Sequence, residues 1–110
     1  MRVIKVPVDG LPEVIEIENE LQAMYDTIGC EYIEAVYPFE DMVAIVCDEE
    51  GKPNGSEPNR YLQRKGIPYD LVFNNFLIVG LSDDDFDSVP ESLIDKYVEK
   101  FSNMFVEVDE

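Results

Sequence analysis

Carboxylates are the chemistry-bearing side chains this chain has in quantity. Asp and Glu number 25 against 8 Lys and Arg, and histidine is absent. Without histidine, Ser-His-Asp, Cys-His and HExxH arrangements are out of reach. Cys30 and Cys47 stand apart with no CxxC, too few ligands for zinc. In a reducing cytosol they read as small buried apolar residues, with a redox pair as the alternative. Asp83, Asp85 and Asp87 match the first three ligand positions of an EF-hand loop. Ser88 then stands where the loop needs glycine, and Ile94 where it needs a bidentate carboxylate, so the motif fails. Asn54-Gly55 lacks the context of a phosphate loop, and no carboxylate is marked as buried enough for a raised pKa. The residues predict a protein that is not an enzyme and carries no cofactor and no metal.

The acids are unevenly placed. No basic residue separates Lys5 from Lys52, an interval holding thirteen acids, and the chain from Asp83 onward carries ten acids against Lys96 and Lys100. Gly51 to Tyr69 is the exception, with Lys52, Arg60, Arg64 and Lys65 against Glu57 alone. Glu16 and Glu18, at i and i+2 of a strand, should project side by side about 6.6 Å apart. Glu91, Asp95 and Glu99 are successive i+4 neighbours, about 6 Å apart on a helix, where like charges repel by a few tenths of a kcal/mol. Such rows approximate the spacing of phosphates on a nucleic-acid strand. The candidate partner-binding surface is therefore Glu16, Glu18, Glu49, Glu50, Asp83, Asp84, Asp85, Asp87, Glu91, Asp95 and Glu99. The plain alternative is a solvated acidic face, but solubility is served by a net charge of about 2–8 on a small domain, and this chain carries −17.

The same charge excludes other partners. Phosphate neutralisation needs clustered Lys and Arg, so DNA and RNA are repelled, and anionic membrane surfaces likewise. No apolar run approaches the ~20 residues of a spanning helix, and Met1 to Gly10 shows no signal-peptide core. A cytoplasmic protein is expected, and a homodimer is compatible with the sequence.

These side chains must be positioned by a single α+β domain spanning residues 1–110, with an acidic C-terminal tail from about 106 to 110. Arg2–Val8 and Glu13–Glu18 read as strands of a hairpin across Asp9-Gly10-Leu11-Pro12. Asn19 and Gln22 resemble a capping box for a helix that Gly29 closes. Glu31–Tyr37 and Met42–Cys47 read as strands, Asp48–Pro58 as a polar turn region and Asn59–Lys65 as a short helical turn. Leu71–Leu81 reads as one central strand, with a bulge or polar kink at Asn74-Asn75. Asp83–Ser88 reads as the acidic start of a helix capped by Ser88 and Glu91. That helix presents Leu93, Ile94, Tyr97, Val98, Phe101, Met104 and Phe105 on one arc. The predicted architecture is a four- to five-stranded, mainly antiparallel sheet covered by two helices.

Two stretches, Glu49-Glu50-Gly51-Lys52-Pro53-Asn54-Gly55-Ser56-Glu57-Pro58-Asn59-Arg60 and Phe76-Leu77-Ile78-Val79-Gly80-Leu81 with its acidic successor, carry a resemblance. They resemble a small uncharacterised domain family of phages, plasmids and other mobile elements, over nearly the whole chain. Small proteins of such elements include anti-restriction inhibitors and anti-CRISPR inhibitors of the single-effector, type II nuclease. The resemblance implies an inhibitor of a nucleic-acid-targeting nuclease in a bacterial host cell and supplies no binding residue. Asn59-Arg60 reads as a fold signature, an arginine caged by backbone carbonyls, more than as a contact site.

Overall fold

The computed structural model describes residues 1–51 and 55–109. Strands β1 (Arg2–Val6) and β2 (Glu13–Glu16) form the expected hairpin, and helix α1 (Leu21–Ile28) follows. Next come β3 (Ile33–Val36), β4 (Val43–Asp48), β5 (Pro58–Arg64), β6 (Ile67–Phe73), β7 (Phe76–Ser82) and β8 (Asp85–Asp87). A 3-10 turn (Glu91–Leu93), helix α2 (Ile94–Phe101) and β9 (Phe105–Glu107) complete the chain. The domain is α+β, as expected, with more strands than expected. A six-stranded sheet runs β2-β1-β7-β4-β3, with β8 also pairing β7, and a three-stranded sheet runs β6-β5-β9. All pairings are antiparallel except β5 with β9.

Alternation in the central strands explains the layers. Val3, Ala44, Val46, Leu77 and Val79 face one way and pack under Met24 and Ile28 of α1. Ile4, Val6, Ile45, Phe76 and Ile78 face the other way, against the small sheet and α2. There Phe39 meets Tyr97 at 5.0 Å and Phe101 at 5.9 Å, both edge-on, and Phe76 meets Phe101 at 5.6 Å. Each such ring pair adds about 0.5–1.5 kcal/mol beyond the area it buries. The large sheet is thus buried on both faces, which is why β4 and β7 are nearly unbroken apolar runs.

Several expectations are corrected. Asn59–Lys65 is the strand β5 rather than a helical turn, because Lys65 (φ 50°) and Gly66 (φ 77°) make a two-residue hairpin turn into β6. Leu71–Leu81 is not one strand. Asn74 adopts φ 67°, and the chain crosses there from the small sheet to the large one. Of the bulge and the kink, the kink is what forms. Asp83–Ser88 is a hairpin into β8 instead of a helix start, with Asp83 at φ 48°. Neither capping box forms: Asn19 Nδ2 donates to the Phe86 carbonyl, Gln22 to Asp26, and Ser88 Oγ accepts from the Arg2 amide. The last helix ends at Phe101. Phe105 belongs to β9, where its ring stacks on Tyr61 at 4.8 Å, and Met104 is exposed. The acidic C-terminal segment is tied in through Asp109: Val106 and Val108 are buried, and Asp109 Oδ2 accepts from the Glu40 amide.

Among the described residues, Asn59 and Arg60 are the buried polar residues of the core. Arg60 donates to the carbonyls of Phe101 (2.9 Å) and Gly10 (2.7 Å) and to Asn59 Oδ1 (2.7 Å). Asn59 Nδ2 in turn donates to the carbonyls of Val6 (2.9 Å) and Asn74 (2.8 Å). The carbonyl cage read from the sequence is therefore present, and it ties both hairpins to the end of α2. Burial lowers the Arg60 pKa from its ordinary value, while nearby Asp9 acts the other way.

Candidate interaction surface

The few cations are largely engaged within the fold. Arg2 lies 3.2 Å from Glu91 and 3.5 Å from Glu16. Arg64 lies over the Tyr69 ring at 4.3 Å, and Arg60 is buried in its cage. Lys96 reaches Asp41 at 2.7 Å, and Lys100 donates to the Glu107 carbonyl at 2.8 Å. The Lys96 and Tyr97 hydrogen bonds hold the Asp41 carboxyl below its ordinary pKa, and the same carboxylate raises that of Lys96. The Tyr97 hydroxyl is pushed upward by burial first and by Asp41 second. Lys52, counted in the basic segment, lies outside the described residues.

Most of the predicted acids face solvent: Glu16, Glu18, Glu49, Asp83, Asp84, Asp85, Asp87, Glu91, Asp95 and Glu99 are exposed, and Glu50 is half-buried. The structure does not assemble them into one array. Glu49 and Glu50 lie past the end of β4, whereas Asp83, Asp84 and Asp85 lie beside its start, a strand length of about 17 Å away. Strand β2 ends at Glu16, yet Ile15 and Ile17 both pack inward, so Glu16 and Glu18 share the outward face. The helical row is broken at its first member. Glu91 sits in the 3-10 turn, which has about three residues per turn, and it pairs with Arg2. Glu16, Asp87 and Glu91 gather around Arg2 in one depression. Asp95 and Glu99 of α2 remain exposed and make no ion pair among the described residues.

A second feature was not read from the sequence. At the β7–β8 hairpin, Asp83, Asp84 and Asp85 share a cleft of about 390 Å³ with Tyr37, Met42, Leu81 and Phe86. Tyr37 is 63% and Met42 58% exposed, large values for such side chains. They meet here because the Leu81 amide donates to the Met42 carbonyl at 3.1 Å, which sets the end of β7 against the start of β4. Leu81 and Phe86 flanking the acidic turn were the signal available in sequence, but exposure of Tyr37 and Met42 depends on the strand order.

Other chemistry finds little footing. Burial, with Glu34 and Asp70 adding to it, pushes the Cys47 thiol up to about 12, and burial with Asp48 pushes Cys30 up to about 11. Both therefore stay as unreactive thiols at neutral pH. Among the described residues no group of three His, Cys, Asp or Glu side chains is placed to hold a metal ion, and no helix is long and apolar enough to cross a membrane.

Residues 1–102 match the family model described as a domain of unknown function (DUF3846). No curated protein and no solved structure gives a significant match to the chain.

Proposed function

The chain belongs to the DUF3846 family, a domain of unknown function, and from its surface we propose a binding protein without catalytic activity that docks an acidic face on a positively charged protein. The partner we propose is a nucleic-acid-targeting nuclease of a bacterial defence system, with the single-effector, type II CRISPR nuclease foremost. The protein would then be a mobile-element inhibitor acting in the host cytoplasm. Such a nuclease holds guide and target in a basic channel that reads backbone geometry, and exposed carboxylates can compete for that channel.

The observation that carries this reading is the asymmetric use of charge. Arg2, Arg60, Lys96 and Lys100 are taken up by internal contacts, while Asp83, Asp84, Asp95 and Glu99 face outward and make no ion pair among the described residues. A surface that needed only solubility would not require a net charge of −17. The test is a cleavage assay in which the protein is titrated against several type II nucleases and restriction enzymes at two salt concentrations. Inhibition that weakens with salt is expected; no inhibition of any enzyme overturns the reading.

A second reading, an interaction module without nucleic-acid mimicry, is favoured by one observation: the carboxylate rows are interrupted at Glu91 and divided between the two ends of β4. It predicts partner binding that is insensitive to competing guide RNA.

A further inference from the structure

We propose that the cleft at the β7–β8 hairpin is a socket for an arginine-bearing apolar loop of a partner protein. This inference rests on the reading of the chain as a binding protein with an acidic docking face, and it assigns that face its anchor point. The cleft sets exposed apolar side chains beside carboxylates, with no cation among its lining residues. Its apolar part is Tyr37 and Met42, both more than half exposed, with the partly buried Leu81 and Phe86 behind them. Its polar part is Asp83, Asp84 and Asp85, none of which makes an ion pair among the described residues.

Charge complementarity selects the occupant. A purely apolar segment would strip water from three carboxylates and give nothing in return. A bare phosphate or acidic peptide would be repelled. Arginine fits both halves: its methylene stem packs on methionine and tyrosine, its guanidinium can lie over the Tyr37 ring, and its forked donors match a carboxylate. An aliphatic neighbour in the same loop would cover Met42. Tyrosine and arginine are also the side chains that most often dominate interface energies. A second copy of this chain is disfavoured as the occupant, because its own net charge is −17.

The surface around Asp95 and Glu99 differs in charge: Glu99 shares a depression with the exposed Phe105, but Lys96 and Lys100 line it as well. A cationic loop would meet carboxylates without lysines at the β7–β8 hairpin, and lysines beside the carboxylates at α2.

The experiment is a titration of isotope-labelled protein, followed by its amide spectrum, with two short peptides of equal charge. One alternates arginine with leucine, and the other alternates lysine with serine. The arginine–leucine peptide should shift the amides of residues 37–42 and 81–86 at a concentration at which the lysine–serine peptide shifts none of them. Replacing both Tyr37→Ser and Met42→Ser should weaken it by about tenfold, with the unperturbed spectrum otherwise retained. Leu11→Ser, at a still more exposed apolar position in the β1–β2 turn, should change nothing. Shifts spread equally over residues 95–99, equal binding of both peptides, or no binding would overturn the socket. Loss of nuclease inhibition as a property of the protein, with this peptide response intact, would fault the nuclease reading and leave the socket standing.

Discussion

Arg60 donates a 2.7 Å hydrogen bond to the side-chain oxygen of Asn59, its own neighbour in the chain. The two buried polar residues thereby satisfy one another and four separate backbone carbonyls. Asn59→Ala leaves the Val6 and Asn74 carbonyls without these donors, and Arg60→Met strips those of Phe101 and Gly10. Each unsatisfied buried group costs about 1–3 kcal/mol. Urea denaturation should show each variant less stable by about 2–4 kcal/mol. A loss below about 0.5 kcal/mol would remove the cage from the account of the fold.

Acid should act on the fold through Asp41. Its folded pKa lies below the ordinary carboxylate value because Lys96 and Tyr97 hydrogen-bond it, so below neutrality the unfolded chain binds the proton first. The stabilisation is present above the unfolded value near about 4 and is lost as pH falls through the folded one. Relief of carboxylate repulsion works in the opposite direction, so the informative quantity is a difference. Between about pH 6 and pH 3, the wild type should lose melting temperature relative to Asp41→Asn. Parallel curves would show that the Asp41 contacts contribute nothing.

Salt should stabilise the molecule. A net charge of −17 on 110 residues repels itself, and about 0.5 M salt shortens the screening length to a few ångströms. The melting temperature should rise by several degrees between about 20 mM and about 500 mM sodium chloride. A fall would mean that ion pairs such as Arg2 with Glu91 outweigh the repulsion.

Free nucleic acid should not bind. Of the basic segment, Arg60 is buried and Arg64 is held over Tyr69. At most two phosphate contacts are then left to the segment, a salt slope of about −2, too shallow to sustain binding at physiological salt. Fluorescence polarisation with duplex DNA and with guide RNA should stay flat. Micromolar binding would instead make the β5–β6 hairpin an RNA site.

What the sequence made legible was local or compositional. The β1–β2 hairpin followed from Asp9-Gly10 and the end of α1 from Gly29 (φ 81°), while the Arg60 cage was read from the family resemblance at Asn59-Arg60. What it hid was decided by distant partners. Ser88 and Glu91 have capping-box spacing, but both are drawn to Arg2 at the other end of the chain. Residues 71–81 read as one continuous strand because the sequence is apolar on both sides of the crossing, and only Asn74 (φ 67°) marks it. Gly80 was legible as a glycine but not as a necessity. A Cβ there would stand 1.9 Å from the Ser88 carbonyl oxygen, a contact made by the return of β8 along β7. The candidate surface fared alike. Exposure of its acids followed from their type, whereas their division between two ends of β4, and the cleft at Tyr37 and Met42, followed from strand order.

The central claim, that outward carboxylates do the docking, is tested most directly by reversing the two on α2 that make no ion pair among the described residues. Asp95→Lys with Glu99→Lys alters only exposed side chains and should leave the melting temperature within a few degrees. In a type II nuclease cleavage assay, the concentration for half-inhibition should rise by about tenfold or more, and the salt dependence of inhibition should flatten. Inhibition by the doubly reversed protein equal to that of the wild type, at the same salt, would contradict the account.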